Sequence, residues 1–180
     1  MQLKDLEIDG NWTLFLDRDG VINYRYDGDY VRNWKQFKFL EGVLNAASIF
    51  NQKFGKIIVV TNQQGIGKGL YTHDDLADVH QKMKIEFENN KGRIDGIYYS
   101  PYLKEENHIT RKPDIGMALL AKEHFPNINF QQSIMVGDSQ TDIQFGRNAG
   151  MKTVYLHPKL KNPAKADFVF KDLKSFAEAL

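Results

Sequence analysis

The sequence has no cysteine, 5 prolines in 180 residues and almost no net charge, +1 from 24 basic and 23 acidic residues. Without cysteine there are no disulfides and no thiolate-held metals, which fits a reducing compartment. The balanced charge leaves no overall field for nucleic acid or an anionic membrane surface. No apolar run is long enough to span a bilayer, and the opening MQLKDLEIDG lacks the apolar stretch of a signal peptide. A cytoplasmic protein with neither nucleic-acid nor membrane partner is the expectation. Repeats and low-complexity tracts are missing too. What remains is 42% hydrophobic, enough for a sizeable core in one domain spanning 1–180.

Short apolar runs alternate with helix-like segments. WTLFLD (12–17), KIIVVTN (56–62), IDGIYYS (94–100), SIMVGD (133–138) and KTVYLH (152–157) read as strands, with DFVFKD (167–172) as a short sixth. Continuous apolar strands of this kind suit a sheet covered on both faces. Segment 40–55 places Val43, Leu44, Ala47 and Phe50 on one helical face, with Gly55 closing its end. Segment 72–90 spaces Leu76, Val79, Met83 and Phe87 helically behind a Thr72/Asp75 capping box. Pro113 suits the first position of a third helix. TDIQFGRNAG is a shorter helix stopped by Gly150, and the last ten residues read as a surface helix. The fold class is α/β with a mainly parallel sheet.

Such sheets place their sites beyond the carboxyl ends of the strands, where the polar residues of this chain collect. Asp17 and Asp19 end the first strand in FLDRDGVIN. Residues two apart in extended chain share a side, and two close carboxylates need a cation or a shared proton. One suits the task of ligand and nucleophile, the other of acid and then base. An Asx turn uses one Asp at most, and a calcium loop would need an oxygen ligand where Val21 stands. Asp138 ends the fourth strand and completes a hard-oxygen set suited to Mg²⁺. Asp142 has capping-box spacing from Ser139, which gives it a structural role. TNQQGIGKGL fails as a P-loop. It leaves the Thr61 hydroxyl, the Asn62 carboxamide and a Gly-rich turn as donors to phosphate, with Gly65 to Gly69 equally readable as an ordinary turn-rich loop. Lys112, just before a helix start, opposes the helix dipole by about 0.3–1 kcal/mol, a placement that points to a nearby anion. Arg111 is within reach of the same edge. His73, His80, His108, His124 and His157 are scattered without metal-ligand spacing and read as surface or structural.

DRDGV, Thr61, RKPD and GDSQTD, in that order after successive strands, resemble the haloacid dehalogenase (HAD) superfamily of phosphohydrolases. FLDRDGVIN, DYVRNWKQFKFLEGV, VVTNQQGIGKGLYT, IDGIYYSP and RKPDIGM are similar to the subfamily of D,D-heptose 1,7-bisphosphate and histidinol-phosphate phosphatases. The resemblance implies a Rossmann-like three-layer sandwich without a large cap domain. It implies Mg²⁺-dependent hydrolysis of a small phosphorylated metabolite through a phosphoaspartate. Carried over, Asp17 is the nucleophile and a metal ligand, and Asp19 is the acid–base group whose backbone carbonyl also meets the metal. Thr61 holds the phosphoryl group, with Asn62 beside it. Lys112 offsets charge, Asp138 is a metal ligand, Arg111 contacts substrate, and Asp142 supports the site from behind. Family members usually carry a cysteine- and histidine-bearing zinc loop before RKP. Here that segment is PYLKEENHIT, so structural zinc is not expected.

The aromatic, basic excursion 23–35 is a candidate flap, equally readable as an ordinary surface loop. Its Arg25 and Arg32 suit a second phosphate on the substrate. A heptose bisphosphate is the first substrate expectation and histidinol phosphate the second, with the enzyme acting as a monomer. A phosphoacceptor receiver module would share the carboxylates, threonine and lysine, but has no use for Asp19. A polynucleotide 3′-phosphatase would share the motifs, but the charge balance speaks against it.

Overall fold

The computed structural model describes residues 2–180. The predicted strands form β1 (Thr13–Leu16), β2 (Lys56–Asn62), β3 (Gly96–Ser100), β4 (Ser133–Gly137), β5 (Lys152–Leu156) and β6 (Phe168–Phe170). They make one parallel sheet in the order β3-β2-β1-β4-β5-β6. The helices are α1 (Val43–Lys53), α2 (His73–Asn89), α3 (Gly116–His124), α4 (Gln140–Asn148) and α5 (Leu173–Glu178).

The apolar runs split by parity. Leu14, Leu16, Ile57, Val59, Ile134 and Val136 pack with Phe50 of α1, Met83 and Phe87 of α2 and Phe176 of α5. Phe15, Ile58, Val60 and Met135 pack on the other face with Met117 and Ala121 of α3 and Phe145 of α4. Both faces of β1, β2 and β4 are therefore covered, which is why these strands do not alternate apolar with polar. The result is the expected Rossmann-like three-layer sandwich. Strand order reverses between β1 and β4, so a crevice opens at their carboxyl ends.

Three local expectations need correction. Gly55 does not close α1 in the left-handed region; it lets the chain pass the Gly10 carbonyl, which a Cβ there would meet at 1.9 Å. Leu44 is only half-buried, and Ala46 takes its place on the inward face of α1. Pro113 does not open α3, which starts at Gly116. Lys112 therefore lies outside the helix, and its placement is not set by the helix dipole. Gly150 does end α4 at φ +81°, and the Thr72/Asp75 box does open α2.

Candidate active site

β1 delivers Asp17 just beyond Leu16, where its N–H still bonds the Val136 carbonyl of β4 at 3.0 Å. The chain then turns sharply. The N–H groups of Val21, Ile22 and Asn23 all donate to the Arg18 carbonyl, at 3.3, 2.8 and 3.1 Å. Gly20 takes φ +95°, and a Cβ there would stand 2.1 Å from Asp138 Oδ2. The glycine after DRD is thus required twice, by the turn and by the carboxylate packed against it. Asp17 and Asp19 line one cavity of about 270 Å³ with Arg25, Thr61, Asn62, Lys112, Asp138 and Asp142. A larger cavity of about 550 Å³ lies at the opposite edge of the sheet, near Thr13 and Lys56, away from these carboxylates.

One oxygen from each of Asp17, Asp138 and Asp142 falls within 4.8 Å of the others. Lys112 Nζ lies 2.6 Å from Asp17 Oδ1 and 2.6 Å from Asp142 Oδ1, and donates to the Val60 carbonyl at 2.9 Å. Burial opposes the charge of Lys112, but Asp142 and Asp17 outweigh it and push its pKa up. Three carboxylates still face one buried ammonium. Burial, resisted by Lys112 and reinforced by Asp142 and Asp138, pushes Asp17 up to about 8. Burial and Asp142, resisted by Arg25 and Lys112, push Asp138 up to about 6. Asp138 Oδ1 is buried without a hydrogen-bond partner. A surplus of negative charge and an unpartnered carboxylate oxygen together fit a hard divalent cation.

Asp142 does cap α4, as its spacing predicts, with Oδ2 accepting from the Ser139 N–H at 3.0 Å and hydroxyl at 2.5 Å. Its other oxygen belongs to the cluster, which the spacing did not reveal. Asp19 is held differently. Arg18 Nη2 and Asn23 Nδ2 donate to Oδ1 at 2.8 and 2.9 Å, and Gln63 Nε2 donates to Oδ2 at 2.8 Å. Burial raises its pKa, but the Arg18 charge and these bonds prevail and hold it below the usual carboxylate range.

Arg18, Gln63 and His80 escaped the sequence reading as members of the site. Arg18 is fully buried, and its Nη1 meets His80 Nε2 of α2 at 3.2 Å. To accept from arginine the imidazole must be neutral, and burial with the Arg18 charge brings its pKa down to about 3. The available signal was alternation: a residue between two cavity-facing aspartates turns to the other side.

Other expected site residues divide. Asn62 lines the cavity, but both ends of its carboxamide hold the Lys112 backbone, Nδ2 on the carbonyl at 3.2 Å and Oδ1 on the N–H at 3.0 Å. Arg25 reaches Asp138 Oδ2 at 3.1 Å. It also lines a second cavity of about 320 Å³, shared with Tyr30, Asp19 and Asn62. Arg32 and Arg111 are not brought into either cavity: Arg32 pairs with Asp29 at 2.7 Å and Arg111 donates to the Tyr102 carbonyl at 3.1 Å. Most of the Gly-rich turn is closed to phosphate. The N–H groups of residues 66–70 are taken by the carbonyls of Gln63, Pro101, Gln64, Ile66 and Gly65. Excursion 23–35 is fastened over the site by Arg25 and by Tyr30, whose hydroxyl accepts from Gln64 Nε2 at 2.9 Å. In segment 101–110, His108 stacks on Tyr102.

The HAD-hydrolase-like family model matches residues 109–176. The chain is 42% identical over 154 residues to the D-glycero-alpha-D-manno-heptose-1,7-bisphosphate 7-phosphatase of Burkholderia mallei, covering 81% of this chain and 79% of that one. The chain belongs to the HAD superfamily, among its phosphatases. A second relative, the D-glycero-beta-D-manno-heptose-1,7-bisphosphate 7-phosphatase of Helicobacter pylori strain 26695, is 36% identical over 172 residues, 94% of this chain and 96% of that one. A solved structure, D,D-heptose 1.7-bisphosphate phosphatase from B. bronchiseptica complexed with magnesium and phosphate, matches with a TM-score of 0.83 at 26% identity. The match covers 93% of this chain and 96% of that chain.

Proposed function

We propose that this phosphatase removes the 7-phosphate of a D-glycero-D-manno-heptose 1,7-bisphosphate, with Asp17 as nucleophile and Mg²⁺ as cofactor. The observation that carries the reading is the convergence of Asp17, Asp138 and Asp142 around Lys112 at the β1/β4 crevice. A phosphate monoester is doubly negative, so a bare carboxylate would repel it. Mg²⁺, held by Asp17, Asp138 and the backbone carbonyl of Asp19, supplies the positive charge that offsets this when bound.

Asp17 attacks phosphorus. The Asp17 O–P bond forms as the bond from phosphorus to the sugar oxygen breaks, leaving an acyl phosphate. Lys112 neutralises charge on Asp17 throughout. The Thr61 hydroxyl donates to a phosphoryl oxygen. In its protonated form Asp19 donates its proton to the departing sugar oxygen. As a carboxylate again, Asp19 takes a proton from water, which attacks the acyl phosphate and frees Asp17 and inorganic phosphate. Arg25, between the two cavities on the 23–35 flap, is assigned to the leaving sugar.

The test is phosphate release with Mg²⁺ on both anomers of the heptose bisphosphate, on histidinol phosphate and on a 3′-phosphorylated oligonucleotide. A heptose bisphosphate is expected to give the highest kcat/KM, and Asp17→Asn to abolish release. A higher kcat/KM on either other substrate would sink the substrate assignment. Turnover retained by Asp17→Asn would sink the chemistry.

A further inference from the structure

Gln63 is buried, 1% exposed, and has no place in the chemistry above. Its carboxamide is nonetheless fully engaged. Nε2 donates to Asp19 Oδ2 at 2.8 Å and to Thr61 Oγ1 at 2.9 Å, while Oε1 accepts from the Tyr71 hydroxyl at 2.5 Å. Both amide hydrogens are therefore spent, one on each of two groups the reaction needs. Tyr71 is buried too, and burial pushes its pKa up, which keeps the hydroxyl a donor. Room for its ring is made by Gly65, where a Cβ would lie 2.2 Å from Tyr71 Cε1.

The direction of these bonds matters. A hydroxyl oxygen that accepts an N–H bond points its own hydrogen elsewhere. With Gln63 donating into it, Thr61 is left to donate outward into the cavity it lines. The other Gln63 hydrogen fixes the carboxylate plane of Asp19, whose second oxygen is already held by Arg18 and Asn23. The Asp19 carboxylate can only accept, which turns Nε2 toward it, and Tyr71 anchors the other end by donating to Oε1.

We propose that Gln63, anchored by Tyr71, is a positioning residue that sets the proton-transfer carboxyl of Asp19 and the hydroxyl direction of Thr61 together. The proposal rests on the roles given above to Asp19 and Thr61, and its test separates the two levels. Removing the amide leaves Asp19 Oδ2 unheld, so the carboxyl can turn about its pinned Oδ1 and proton delivery to the leaving oxygen suffers. A leaving group that departs without a proton does not register that loss in kcat/KM, which covers steps only through the first irreversible one.

The experiment compares kcat/KM on an alkyl phosphate, the heptose bisphosphate, with that on 4-nitrophenyl phosphate in the Mg²⁺-loaded enzyme. Gln63→Met keeps the side-chain length and removes both donors. It is expected to lower the alkyl value by about 10- to 100-fold, part of the ~10²–10⁴ that a general acid contributes, and the aryl value several-fold less. Tyr71→Phe should shift the ratio the same way by a few-fold, and it carries the test alone if Gln63→Met does not fold. Asp19→Asn is the reference. If it leaves the ratio of the two substrates unchanged, the role of Asp19 fails and the proposal falls with it. If Asp19→Asn shifts the ratio while Gln63→Met and Tyr71→Phe lower both substrates in parallel, or neither, the positioning role alone is overturned.

Discussion

Replacing Gly20 by alanine probes the site through one methyl group. Two separate penalties are expected. The first is conformational: at φ +95° an L-residue loses about 1–2 kcal/mol relative to glycine. The second is steric. The new Cβ would lie 2.1 Å from Asp138 Oδ2 and 2.6 Å from its Cγ. Ordinary contact starts near 3.4 Å, so the carboxylate must retreat by more than an ångström. Gly28 isolates the first penalty, because it holds φ +78° and a Cβ added there would meet nothing within 4 Å. Gly28→Ala should lower Tm by about 2–4 °C per kcal/mol lost in a chain of this size, while leaving the response to Mg²⁺ intact. Gly20→Ala should lower Tm further and also blunt the rise in Tm on titrating Mg²⁺, because Asp138 has moved. Thermal unfolding with and without Mg²⁺ reads both effects. If both variants respond to Mg²⁺ as the parent does, the packing of Asp138 against Gly20 does not matter to the cation, and the reasoning is wrong.

Lys112→Met leaves Asp17 and Asp142 without their shared ammonium; kcat should fall by about 10²–10³, as when one transition-state donor is removed, and a fall under tenfold in steady-state assays would contradict its role. The raised pKa of Asp17, about 8 against an ordinary 3.8, means that the folded protein binds the extra proton across that window. Metal-free stability should therefore decline as pH rises from about 4 to about 8. Mg²⁺ should restore it most at the alkaline end, since a ligand of the folded state stabilises it; a Mg²⁺-induced rise in Tm that is no larger at the alkaline end than at the acid end would refute this. With no cysteine in the chain, elemental analysis of purified protein should find zinc far below one ion per chain, and a stoichiometric zinc content would overturn that expectation.

The sheet was legible because its strands are apolar on both faces and end in polar residues that such strands do not otherwise tolerate. Asp17, Thr61 and Asp138 stood out for that reason, and the structure brings them to one cavity. Side chains whose importance lies in direction were not legible. Arg18 looked like a spacer between two aspartates, yet it is buried against His80 from a helix 62 residues away in sequence. Gln63 looked like part of a polar turn, and nothing local told that its amide spans Asp19 and Thr61. The glycines of 65–69 left an anion cradle and an ordinary loop both open, because composition cannot separate free N–H groups from those already bonded within the loop. Arg32 and Arg111 were chosen for charge and position along the chain, which do not show that their side chains rest on Asp29 and on the Tyr102 carbonyl.

All six strands run in one direction, so every connection leaving a carboxyl end emerges on the same side of the molecule. The ladders set where Asp17 and Asp138 leave the sheet, while Asn23 and Arg25 in the following loop hold Asp19 and Asp138 in place. The 101–110 connection holds none of these carboxylates, so a change there leaves the bond-breaking groups where they stand.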